Sequence, residues 1–283
     1  MAISKLYRLI LVFTFGVNLS FGQDAVSISQ QMFSTIKSVK SVQYTFNSKE
    51  RVANGKIHEE RSTFKVNVAP FKLYMYQYVP KKDLQVLYVS GQNGGKAKVN
   101  PGSFPWVNLN LEPEGDLMLQ DRHHGIFDAG FGYTISLLEY LMNKYPDQKD
   151  QLIKYNGVYK LQGVDCYYLT FTNPNYKLIT YVAGFNETPI SIAKKNHLNF
   201  YSIIDNNKSL KPTEVIKPGT KLLIPNDYAL KMELLVHKDM LYPVHLKVYD
   251  HKGVYEEYYF QQVTLNPPFK DIDFSEKNPA YKF

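Results

Sequence analysis

Polar and apolar residues alternate with period two through much of this chain. Val42, Tyr44 and Phe46 alternate with Gln43, Thr45 and Asn47, and Phe64, Val66 and Val68 alternate with Thr63, Lys65 and Asn67. Such runs are half-buried antiparallel strands, because successive side chains of a strand point to opposite faces. Strand-like runs follow at Phe71 to Val79 and Leu84 to Val89, broken by Pro70 and Pro80 and by a loop at Gly91 to Gly95, so the chain meanders through hairpins. Two stretches have helical spacing instead. Ile28, Met32, Phe33, Ile36 and Val39 recur near the start, and Phe131, Ile135, Leu138 and Met142 share one face of a second helix. Before that helix, Asn100 to Gly132 is rich in Pro, Gly and Asp and predicts a long irregular connection.

The alternation returns at Tyr159 to Leu161 and Cys166 to Thr172, stops, and resumes at Leu230. Met232, Leu234 and Val236 then alternate with Glu233 and His237. Val244, Leu246 and Val248 alternate with His245, Lys247 and Tyr249, and Asp250 to Gly253 turns into Val254 to Leu265. Together these elements predict an α+β fold, a curved antiparallel half-barrel sheet covered by helices. The interruption reads as a separate βααβ unit over residues 180–226. Thr180 to Val182 opens as a strand, Asn186 to Ala193 starts a helix, and Val215 to Pro225 closes with a second strand. Thr188 can cap a helix whose first residue is Pro189, where a missing N–H is tolerated. Ile192 and Ala193 face inward with Ile203 and Ile204, and a turn at Pro218 and Gly219 brings Leu222 and Ile224 beside Tyr181. A unit this short is marginal as an isolated core, so it is expected to dock on the larger domain.

The ending of this unit, with Ile216, Pro218, Gly219, Leu222, Ile224 and Pro225 in order and spacing, resembles the LysM modules, as do Tyr181, Thr188, Ile192 and Ala193 in its opening and Asn207 after its second helix. Two positions depart from the pattern: Asn186 stands where LysM modules generally carry Gly, and Pro189 where they carry Leu. Asn tolerates positive φ, so the first departure is mild. The resemblance implies binding of glycans containing N-acetylglucosamine, chiefly peptidoglycan and chitin, in a shallow groove. By position that groove involves Asn186, Glu187, Thr188, Pro189 and Ile190 and, opposite them, Ile216, Lys217, Pro218 and Gly219. The surrounding pattern resembles the lipoprotein-carrier (LolA-like) half-barrel superfold. Its best local support is the run Met232, Asp239, Tyr242, Pro243 and Val244, then the turn at Asp250 to Gly253 and Phe260 to Phe274. That likeness implies a cavity able to hold a lipid or an acyl chain. The domains are then residues 23–179 with 227–283 for the half-barrel, and 180–226 for the insert.

At the amino terminus, Lys5 and Arg8 precede an apolar run from Leu9 to Phe21, and Ser20 and Gly22 stand three and one positions before Gln23. This is the order of a secretory signal peptide, 1–22, cleaved after Gly22. The run is too short for the roughly 20 residues that span a bilayer, and no later stretch is long and apolar enough. A periplasmic or cell-envelope protein without a transmembrane segment in its mature form is expected. Setting aside Lys5 and Arg8, 31 Lys and Arg exceed 26 Asp and Glu, a net of +5 rather than +7. Without a basic cluster or motif, nucleic acid is not an expected partner. Cys166 is the only cysteine, so no intrachain disulfide can form.

Catalytic signatures are lacking: there is no G-x-S-x-G elbow, no H-E-x-x-H and no phosphate loop. Arg122, His123 and His124 with Asp128 could suggest a metal or acid–base centre, but adjacent histidines rarely converge on one ion without a third partner, and a structural role is expected. Glu59 with Glu60, and Glu112 and Glu114 with Asp116, could be read as hydrolase pairs; solvated charge is the better reading. The tyrosines between Phe71 and Val79 either line a cavity or fill a sheet face. The expectation is a non-catalytic envelope-binding protein with no metal and no cofactor. Its partner is peptidoglycan through the insert or, alternatively, a lipid acyl chain in the half-barrel.

Overall fold

The computed structural model describes residues 24–52, 55–207 and 210–283, so the segment read as a signal peptide lies outside the described residues. Helix α1 (Ala25–Ser38) is capped by Asp24, whose carboxylate accepts from the Ser27 N–H. It buries Ile28, Met32, Phe33 and Ile36, the residues at helical spacing. A meander follows: β1 (Ser41–Arg51), β2 (Ile57–Asn67), β3 (Lys72–Val79), β4 (Leu84–Val89), β5 (Ala97–Asn100) and β6 (Leu109–Leu111). The connection expected to be irregular holds β6 and one helical turn, α2 (Asp116–Leu119), before α3 (Gly132–Lys144). After α4 (Lys149–Leu152) come β7 (Ile153–Leu161) and β8 (Val164–Thr172), and after the insert β11 (Lys231–His237), β12 (Pro243–Asp250) and β13 (Gly253–Leu265). The insert contributes β9 (Leu178–Val182), α5 (Pro189–Asn196), α6 (Phe200–Asn206) and β10 (Lys221–Pro225).

Among the described residues, eleven strands form one open antiparallel sheet in the order β6-β5-β4-β3-β2-β1-β13-β12-β11-β8-β7, while β9 and β10 pair separately. The fold is α+β, as the alternation predicts. The main core gathers α1, α3 and the inner face of the sheet, with Met32, Ile135, Leu141, Leu73, Leu169 and Val248 among its fully buried members. Removing that apolar surface from water is the dominant favourable term, on the order of 25 cal/mol per Å².

Over β3 and β4 the outer face is covered by the carboxy-terminal segment. Tyr281 stacks on Tyr74 with ring centroids 3.6 Å apart, and Phe274 is buried beside Tyr74 and Leu87. The tyrosines of β3 therefore fill this outer face and do not line a cavity. Strand parity decides it, since Met75 and Gln77 take the opposite face from Tyr74 and Tyr76.

The insert leaves and returns between neighbouring strands, because Lys231 of β11 pairs with Thr172 of β8. Its stem continues that pairing: the Asn173 N–H donates to Leu230 O at 2.9 Å, and the Lys177 N–H to Asn226 Oδ1 at 2.7 Å. Buried Asp227 clamps the stem to the half-barrel, accepting from Lys144 at 2.6 Å, Tyr145 at 2.7 Å and Asn173 at 2.9 Å.

Candidate binding sites

The inward positions of the central strands follow from their register. On β1 they are Tyr44, Phe46, Ser48 and Glu50. Facing these, β2 presents Phe64, Ser62, Glu60 and His58, and β13 presents Phe260 against Phe46, Tyr258 against Ser48 and Glu256 against Glu50. On β3, Met75 faces Phe64 and Gln77 faces Ser62. The inner face thus runs from aromatic and aliphatic at one end to polar at the other. It lines a cavity of about 510 Å³ together with Leu109 and Leu111 of β6 and Leu117, Met118, Arg122, His124 and Ile126 of the connection. That size is in the range of small-molecule sites. The exposed lining residues Pro80, Lys81, Gln120 and Asp121 adjoin the polar end, which is therefore the mouth.

Glu60 is buried at this end and is not solvated as expected, whereas Glu59 faces solvent. Parity again separates them. Glu60 accepts from Ser62 Oγ at 2.5 Å and pairs with Arg122. Glu50 accepts from the His123 N–H at 2.9 Å and from the Tyr258 hydroxyl at 2.8 Å. Glu112 and Glu114 do lie on the surface, paired with Lys96 and Lys194.

Fully buried Glu256 gathers the rest of this chemistry. Its carboxylate accepts from Tyr228 OH at 2.8 Å and Asn199 Nδ2 at 3.0 Å, with His123 Nδ1 at 2.9 Å and His124 Nε2 at 3.5 Å. His124 Nδ1 lies 3.4 Å from Asp128. Burial alone would raise the Glu256 carboxyl, but the charge of His124 and hydrogen bonds from both histidines outweigh it and bring it down to about 2. Burial would lower the His124 imidazole; Glu256 and Asp128 overcome this and raise it well above 6.5. Arg122, His123 and His124 thus tie the connection to three acidic strand residues. Asn199 and Tyr228 come from the insert and its stem, and Asn199 also caps α6 through Tyr201 N at 2.7 Å, so Glu256 joins insert to half-barrel. Among the described residues no group of three His, Cys, Asp or Glu side chains is arranged to hold a metal ion.

The insert packs Ile192, Ala193, Ile203, Ile216, Leu222 and Ile224 into its own core, completed by Val52 and Leu119 of the half-barrel. Thr188 and Ser191 form a reciprocal cap on α5, and Asn186 has φ +55°. Asn207 bridges α6 to β10, donating to Ile203 O and Leu223 O and accepting from Leu223 N at 2.9 Å. The two loops read as a groove lie side by side: the Ile216 N–H donates to Glu187 O and the Gly219 N–H to Ala183 O, both at 2.8 Å. Their residues divide. Pro189 and Ile216 are buried, Ile190 and Thr188 half-buried, and Asn186, Lys217, Pro218 and Gly219 exposed. The Glu187 carboxylate is taken up internally, by Tyr181 OH at 2.8 Å, Gly184 N at 2.8 Å and Lys195 at 3.1 Å. The Gly184 amide holds it below the usual carboxylate range against the opposing effect of burial, helped by Tyr181 and Lys195. Phe185, between them, is 87% exposed.

Fold and sites define a cavity-bearing half-barrel with a LysM module spliced between two adjacent strands. The LysM domain family model matches residues 181–225. A second model, that of a protein family of unknown function, DUF1571, matches residues 39–198, more than half of the chain, and the chain belongs to that family. No curated protein matches it. Among solved structures it is similar in fold to the Pseudomonas aeruginosa MucA/MucB complex, at 12% identity over 89% of this chain with a TM-score of 0.40. It is similar also to the Mycobacterium tuberculosis lipoprotein LppX, at 12% identity over 87% of this chain and 97% of that one, TM-score 0.42. Mycobacterium bovis LprF gives 11% identity over 87% and 94%, TM-score 0.43. The chain spans 60% of the length of the first of these. Among the described residues no helix is long and apolar enough to cross a membrane.

Proposed function

We propose that this is an exported, non-catalytic cell-envelope protein whose insert, residues 180–226, binds a glycan containing N-acetylglucosamine. The observation that carries the reading is the exposed Phe185, in the loop whose Ala183 and Glu187 carbonyls accept from Gly219 and Ile216 of the facing loop and whose Glu187 carboxylate is fully engaged. An aromatic face covers the apolar side of a sugar ring, and neighbouring backbone and amide groups hydrogen-bond its N-acetyl and hydroxyl groups. Glu187 then positions the loop and does not touch the glycan. The signal-like amino terminus supports export to the compartment where peptidoglycan is found. Co-sedimentation of the full chain with insoluble peptidoglycan tests the reading: Phe185→Ala should lower the bound fraction several-fold without shifting the melting temperature. Equal sedimentation of the two proteins would remove it. Deleting the insert is a poorer test, since Asn199 would be lost from Glu256.

The cavity of about 510 Å³ favours a second reading, that the half-barrel carries a lipid or acyl chain. Mass spectrometry of organic extracts from the purified protein tests this, and extracts without any such molecule would count against it.

A further inference from the structure

The cavity lining is graded, and one group at its polar end is left over. Gln77 is fully buried at the boundary between Met75 and the mouth, yet neither its amide nitrogen nor its amide oxygen has a partner among the described residues. An unsatisfied buried amide is costly, and native structures rarely keep one without a reason. The carboxylates of this lining are occupied: Glu60 by Ser62 and Arg122 and, further along the wall, Glu50 by Tyr258 and the His123 N–H. Elsewhere on the same cavity wall, His58 has an unpartnered Nε2. What the polar end offers a ligand is thus a neutral donor and acceptor pair, flanked by carboxylates already in use.

We infer that the cavity takes an amphipathic molecule with an uncharged carboxamide or hydroxyl head seated on Gln77 and an apolar body along Phe46, Phe64, Met75 and Val86. This rests on the second reading above and sharpens it. A carboxamide returns both hydrogen bonds of the Gln77 amide, and a hydroxyl can do the same. An anionic head cannot donate to its carbonyl, and a cationic head cannot accept from its NH2 group. The aromatic and aliphatic end lies away from the mouth, so the body enters first and the head stays near Lys81 and Gln120.

Displacement of 1-aminoanthracene from the full chain by dodecanamide, dodecanoate and dodecylammonium at neutral pH tests the inference. Dodecanamide should bind about tenfold more tightly than either charged analogue, the scale set by one buried polar group left unpaired. Gln77→Leu should abolish that preference and leave the urea midpoint equal or higher, because it removes an unsatisfied group without opening a cavity. Equal affinities for the three, or a preference that survives in Gln77→Leu, would overturn the inference while leaving the carrier reading standing. Failure of all three to displace the probe would overturn both.

Discussion

Replacing Glu256 by Gln keeps the shape of a fully buried side chain and removes its charge. In the native protein that charge faces His124 at 3.5 Å and His123 at 2.9 Å and accepts from Tyr228 and Asn199. A carboxyl held at about 2 instead of 4.5 contributes roughly 3 kcal/mol of folding stability at neutral pH. In a chain of this size that corresponds to a melting temperature lower by roughly 6–12 °C in Glu256→Gln. The sign of the pH dependence is fixed. Because the folded carboxyl is lowered, its stabilisation is complete above about 4.5 and is lost as the pH falls toward 2. His124 is raised, so its share is complete below 6.5 and is lost as the pH climbs through its elevated value. Urea titrations followed by far-ultraviolet circular dichroism at pH 6 and pH 3 measure the carboxyl's part, because the His124 share is complete at both. The gap between wild type and Glu256→Gln should be about 3 kcal/mol at pH 6 and shrink to about 1 kcal/mol at pH 3. A gap below about 1 kcal/mol at pH 6, or one that does not change with pH, would refute the assignment of Glu256 as a charged, paired group.

Other expectations follow from the same geometry. Glu187→Ala should cost about 1–2 kcal/mol and loosen amide exchange around Gly184, whereas Lys195→Ala, which removes one exposed partner of the same carboxylate, should leave the urea midpoint nearly unchanged. Truncation after Pro268 uncovers Tyr74 and Leu87 and removes the Tyr281 stack, so the urea midpoint should fall by the equivalent of about 2–4 kcal/mol. Cys166 is fully buried, and burial pushes its thiol up to about 11, so an aromatic disulfide reagent at pH 8 should label it only as fast as the protein unfolds.

Much of this architecture is written in local pattern. The alternation of Val42, Tyr44 and Phe46 sets β1, and the halt at Thr172 with resumption at Leu230 places the insert between strands that pair. The insert's identity was readable because its turn, cap and apolar positions lie within one short stretch: Thr188 caps, Pro189 follows, and Pro218 and Gly219 turn into β10. The polar end of the cavity was harder. Parity contained the signal, since Ser48 and Glu50 continue the inward set of Tyr44 and Phe46, and Glu256 that of Tyr258 and Phe260. A charged residue at an inward position nonetheless reads as the end of the apolar face, because burying it costs too much without partners that the strand does not show. His123 and His124 lie in a connection with no period, so nothing local aims their rings.

What the sequence alone determined is therefore whatever is set by neighbours along the chain: strand parity, the helix caps and the LysM module. Which carboxylates of adjacent pairs are buried, Glu60 over Glu59 and Glu256 over Glu257, is half decided by parity and completed only by tertiary structure. Their partners come from far along the chain, Arg122 for Glu60 and His123, Asn199 and Tyr228 for Glu256. A buried charge persists only where such partners converge, and that convergence exists only once the sheet has curved and the insert has docked.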